Sequence, residues 1–149
     1  MSEIYAVNES FFKMILSRHS LGAKHLVIPA PDVGALRLAV TAACRVPCHQ
    51  ETLPFRWVEI SSRDRLADLF ESVLPADADE EMRAKARGKA LKAPMCMALV
   101  GTGLSPDSQD RDADERLMTA GASLMNFLAG LHAQGFAAKA VSAKDFPAP

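Results

Sequence analysis

Met95-Cys-Met-Ala-Leu-Val100 contains no polar side chain. Such a run suits a central strand with layers of structure above and below it. Downstream, Gly101 to Asp110 is a polar loop, and a long helix begins at about Asp112. Its Leu117, Gly121, Leu124, Leu128 and Leu131 fall on one stripe, and Gly135 stands at the natural C′ position. Ala137 to Ala143 is a weak strand candidate. Upstream, Asp77 or Asp79 opens a helix with Met82, Ala86 and Ala90 on one face. Before it, Ser62 caps a helix through Leu66, Leu69, Phe70 and Val73 that Pro75 ends. Phe55-Arg-Trp-Val-Glu-Ile60 has apolar groups on both alternation faces and reads as a strand entered just after Pro54.

The first third is helical. Ser10 can cap a helix whose Phe11, Phe12, Ile15 and Leu16 form one buried stripe, ending near Arg18-His19-Ser20 with Gly22 beyond. Pro29-Ala-Pro31 forces extended backbone. Asp32 then caps a second helix through Val33, Leu36, Val40 and Ala43, running to about Cys44. Helices alternate with well-separated strands, which predicts an α+β or α/β sandwich with helices packed on a mixed sheet.

Composition narrows the class. The chain has 149 residues, 49% hydrophobic and 23% charged, as in globular proteins, which excludes disorder and fibrous repeats. Its length fits one domain with a single core. Seventeen basic residues against 18 acidic ones, a net charge of -1, create no general field for polyanions, so no nucleic acid partner is expected. No apolar run approaches the roughly 20 residues of a membrane span, and the acidic start at Glu3 does not resemble a secretory signal. Cys44, Cys48 and Cys96 are an odd number and suit reduced, buried thiols in a cytoplasmic protein.

Most chemistry-bearing motifs dissolve on inspection. Gly101-Thr-Gly103 lacks the third glycine and the helix start of a dinucleotide fingerprint and reads as a strand-to-loop turn. His19, His25, His49 and His132 have no metal-ligand spacing, so no metal is expected. The basic residues between Arg83 and Lys92 are interleaved with alanines, as on a solvated helix face. Met82, Met95, Met97, Met118 and Met125 lie at core spacing. Two polar clusters remain: Ser17-Arg18-His19-Ser20 at a helix end, and Arg45-Val-Pro-Cys-His49-Gln50-Glu51 before a strand.

In their order along the chain these clusters resemble the nitroreductase family, and particularly its small single-domain bacterial branch. That family has an early helix ending in Arg-Arg-Ser, a second helix, a segment close to Arg-Ala-Pro-x-His-x-x-x-Gln-Pro-Trp-x-Phe, and a strand. Here these are Arg18-His19-Ser20 and Arg45-Val-Pro47-Cys-His49 through Pro54-Phe55-Arg-Trp57. Lys85-Ala-Arg87, Ala93-Pro94, and Ala120-Gly121-Ala122 through Asn126-Phe-Leu to Gln134-Gly135-Phe136 are also similar to the family.

The resemblance implies an α+β fold with helices on a central mixed sheet and a long central helix at a homodimer interface. FMN would lie at that interface, taking hydride from NAD(P)H and passing electrons to a small electron-poor acceptor such as a nitroaromatic or quinone. Because the flavin carries the redox step, no catalytic side chain is implied. The cofactor-binding positions carried over are Arg18, His19 and Ser20 near the phosphate or ribityl chain, Arg45 and His49 reaching from the neighbouring subunit, and Ala140-Val141-Ser142, partly through backbone. Arg18 lies near a helix C-terminus, where the dipole disfavours an anion, so a full guanidinium charge is needed there. His19 replaces the family's second arginine, Leu53 its glutamine, Phe55 its tryptophan, and Ala140-Val141 the Trp-Arg of close relatives, with Lys139 a neighbouring source of charge. A single domain over residues 1–149 without the family's C-terminal strand is expected. The departures support an alternative, a member that keeps the fold but binds flavin weakly or not at all and serves as a binding or interaction module.

Overall fold

The computed structural model describes residues 7–48, 53–101 and 111–141. Its elements are α1 (Glu9–Ser17), α2 (Val33–Ala43), β1 (Phe55–Glu59), α3 (Arg63–Ser72), α4 (Glu80–Leu91), β2 (Met97–Gly101) and α5 (Arg111–Ala133). Local chemistry sets most of their ends. The carboxylates of Asp32 and Asp79 accept from Ala35 N and Met82 N, each at 2.8 Å, and Ser62 Oγ accepts from Arg65 N at 3.4 Å. At α1 the cap is Asn8, whose side chain accepts from Phe11 N at 3.0 Å. Ser10, the expected cap, therefore sits within the first turn, because an equally good cap precedes it.

The exit of α5 positions the site. Gly135 adopts φ +85°, Gly135 N donates to the His132 carbonyl at 2.9 Å and Phe136 N donates to the Leu131 carbonyl at 3.0 Å. Those two bonds are a Schellman turn, with Leu131 and Phe136 meeting in the core as its apolar contact. The chain reverses there, and Ala138 forms a single parallel bridge with Ser20. The expected strand over Ala137 to Ala143 is, as far as Val141, this one bridge.

The core lies between α2 and α5. Leu36, Ala39 and Ala43 meet Phe127 and Leu131, with Trp57, Met95, Met97, Phe136 and Ala138 packed around them. The Trp57 ring stacks on Phe127 at 4.1 Å between centroids, and its indole N–H donates to the fully buried Ser123 hydroxyl at 3.1 Å. The buried face of α5 runs through Ala120, Ser123, Phe127 and Leu131 rather than through Leu117, which is 62% exposed. A smaller contact joins Ala67 of α3 to Ala86 and Ala90 of α4. There Arg63 donates through Nη2 to the carbonyls of Ala90 and Ala93, holding the end of α4.

Among the described residues the strands form one antiparallel pair in the register Phe55 to Gly101 through Glu59 to Met97. The chain is α+β as expected, but β2 is half-buried along Met97–Val100 rather than enclosed, and Val58 is exposed. An all-apolar run signals a strand and not how many layers cover it. The expected stripe of α1 is likewise open: no residue of α1 is buried, and Phe11, Phe12 and Leu16 are exposed. Met82, Met118 and Met125 are exposed too, while Met95 and Met97 do reach the core.

Candidate functional site

Arg18 is the residue at which α1 stops. Its backbone turns to an extended conformation while its N–H still donates to the Met14 carbonyl at 3.2 Å. The half-buried side chain lines a small, partly open recess together with His19, Leu128, His132, Phe136 and Ala138. Among the described residues, three basic groups and no carboxylate face this recess. Within the described residues the Arg18 guanidinium has neither an ion pair nor a hydrogen bond. It is an unneutralised cation with bidentate donors, the chemistry that receives a phosphate or carboxylate.

Ser17 ties the recess together. Its carbonyl lies 3.1 Å from His19 Nδ1, and its hydroxyl lies 2.9 Å from His132 Nε2 and 3.1 Å from the Met14 carbonyl. A carbonyl only accepts, so His19 donates from Nδ1 and keeps Nε2 for another partner. Ser20 continues the segment: it bridges to Ala138, and Leu21 N donates to the Ala138 carbonyl at 3.4 Å. Arg18, His19 and Ser20 are thus joined to the chain just before Ala140 and Val141, both exposed. Ser142 lies outside the described residues.

Arg45 is held at another level of α5. Its carbonyl accepts from Asn126 Nδ2 at 3.0 Å, and the Pro47 carbonyl accepts from Thr119 Oγ1 at 3.1 Å. The Arg45 side chain is exposed and does not line the recess. At 1.5 Å per residue, about 9 Å of helix axis separates Asn126 from His132. A single chain therefore keeps the two expected clusters apart. His49 lies outside the described residues. Leu53 is half-buried, and Phe55 is buried at the start of β1.

Both arginines of α4 are engaged by carboxylates, and its Lys85 and Lys89 are exposed. Arg87 donates to Asp68 Oδ1 at 2.6 Å and Glu71 Oε2 at 2.9 Å, and Arg83 donates to Glu71 Oε1 at 3.4 Å. The hydrogen bond from Arg87, joined by that from Arg83, holds the Glu71 carboxyl below its ordinary value, with desolvation opposing. Arg87 is in turn held more firmly protonated, first by Asp68 and then by Glu71. Sequence reasoning missed His132 as a site residue and gave Ser17 a place in its cluster but no role. The one local signal was a histidine in the last turn of a long helix, and its partner stands 115 positions away.

No described helix is long and apolar enough to cross a membrane. A scan against protein-family profiles found no match. The chain is similar in structure to a nitroreductase-like family protein from Bacillus cereus, with a TM-score of 0.67 and 21% identity over 91% of this chain and 69% of that one. It is also similar to a nitroreductase family protein from Clostridium novyi NT, with a TM-score of 0.60 and 18% identity over 84% of this chain and 65% of that one. The fold is therefore nitroreductase-like, as the motif order led us to expect.

Proposed function

We propose that the protein is an FMN-dependent oxidoreductase that acts as a cytoplasmic homodimer, with NAD(P)H as donor and a small electron-poor acceptor. The observation that carries this reading is the Arg18 recess. In a nitroreductase-like fold, at the position where the family motif has its phosphate contacts, stands a half-buried guanidinium without a partner among the described residues. The donor set fits the group: one permanent cation and two imidazoles, with no carboxylate among the described lining residues, suit a phosphomonoester. Bound FMN would supply the hydride and electron transfer, and the protein would supply binding and orientation.

The recess also supports a shared site. The enclosed part of the recess is far smaller than the roughly 300 to 1,000 Å³ of sites that hold a whole ligand, so this chain alone walls off at most one end of one. The remainder of a flavin would need a second wall, and the exposed Arg45 segment, clamped on α5 away from the recess, is available to a partner subunit. The half-buried cysteines Cys44, Cys48 and Cys96, none of them in a disulfide, suit a reducing compartment.

One observation favours the alternative of a weak flavin binder. The family's second arginine is here His19, and one of its two ring nitrogens is already engaged by the Ser17 carbonyl. The freshly purified protein is expected to be yellow with FMN as the chromophore, and to quench FMN fluorescence at one flavin per subunit. A colourless protein that leaves added FMN unquenched would establish the weak-binder alternative.

A further inference from the structure

Two helices end at the same place. Ser17 closes α1, and His132 stands in the last turn of α5 with its backbone carbonyl taken by the Schellman turn. The 2.9 Å contact between Ser17 Oγ and His132 Nε2 links the two ends directly. When the Ser17 proton goes to the Met14 carbonyl, the hydroxyl can only accept from His132, so the ring must donate from Nε2. Both termini are the negative ends of helix dipoles, which favour a cation over an anion. An anion can enter here only if enough positive charge is held at the junction. The rest of the described wall, Leu128, Phe136 and Ala138, contributes no charge.

We propose that His132, through its bond to Ser17 and its place in the recess wall, makes this pocket select a phosphomonoester over a neutral ligand. His132 does so in two ways. Its ring holds Ser17, the residue just before Arg18 and His19, and it brings to the recess a third basic side chain, from a different element. The protein would then distinguish FMN from riboflavin at a junction that α1 alone could not build. The proposal rests on the flavin reading for the identity of the ligand but not for its charge.

The test compares FMN with riboflavin, which lacks the phosphate, by fluorescence quenching on the full chain. His132→Ala is expected to weaken FMN at least tenfold, as loss of a charge-assisted contact does, while riboflavin changes less than twofold. His132→Gln keeps an N–H donor and should recover part of the discrimination. Ser17→Ala, which removes the other end of the bond and leaves the imidazole in place, should weaken FMN several-fold. Equal losses for both flavins in these variants, or an unchanged FMN affinity, would overturn the proposal. Inorganic phosphate separates it from the flavin reading, followed through the His132 ring resonances of the flavin-free protein. Phosphate that moves those resonances in a protein binding neither flavin would remove the flavin reading and keep the anion site. Flavin binding with the His132 resonances unmoved by phosphate would do the reverse.

Discussion

Arg18 owes its availability to the way α1 ends. With the helix stopped at Ser17 and no carboxylate in the recess, nothing described neutralises the guanidinium. Arg18→Ala is therefore expected to weaken FMN by roughly 2 to 5 kcal/mol, the range for truncating one partner of a buried charge pair, when both proteins are titrated. His19 differs from an arginine in kind. An arginine carries a permanent charge and five donors in a fixed fork. His19→Arg should therefore tighten FMN in a fluorescence titration, and an unchanged affinity would show that residue 19 does not face the anion. Both residues were legible in the sequence because they are consecutive and follow a recognisable helix end. His132 was not, since its relevance depends on a contact made across the fold.

At the scale of elements, the closeness of α2 to α5 depends on Gly130. A Cβ built there would stand 3.3 Å from Ala39 Cα, a backbone atom that cannot swing away. Gly130→Val should lower stability by about 1 to 3 kcal/mol through overpacking, read by denaturant unfolding. Gly88 in α4 is the opposite case, because a Cβ there meets nothing within 4 Å. Gly88→Ala should raise stability by about 0.5 to 1 kcal/mol through helix propensity alone. The α3 and α4 pair is held differently, by Arg87 between Asp68 and Glu71. Glu71 is depressed below its ordinary 4.5, so its contribution is present above the unfolded value and is lost as pH falls through the lower folded one. Arg87→Ala should accordingly lower Tm at pH 7, and the gap from the parent protein should close on acidification to pH 3. A gap independent of pH would mean that the carboxylates are not what Arg87 holds.

For the whole molecule, the open apolar surface is the feature with consequences. Phe11 and Phe12 form an edge-to-face pair that is half exposed, Leu16 is 82% exposed, and Met118 on α5 is 75% exposed. Apolar area of this kind marks an interface, and a second copy of the chain fits the shared-site reading. Sedimentation at micromolar concentration should show a dimer. Phe12→Glu, at a ring outside the core, should shift it toward monomer by about 30-fold in dissociation constant, as loss of a 2 kcal/mol hot spot does. A monomeric parent protein would remove the shared site. Helix capping by Asp32, Ser62 and Asp79, the Gly135 exit, the two strand positions and the motif order were all determined by the sequence itself, because each rests on short-range chemistry or residue order. Which side of each element is covered was decided only in three dimensions. The stripe on α1 and the methionines have the spacing of a core, yet periodicity names a face and never its partner. The recess, with Ser17 meeting His132 and Ser20 meeting Ala138, exists only because the turn after α5 carries the chain back to the end of α1.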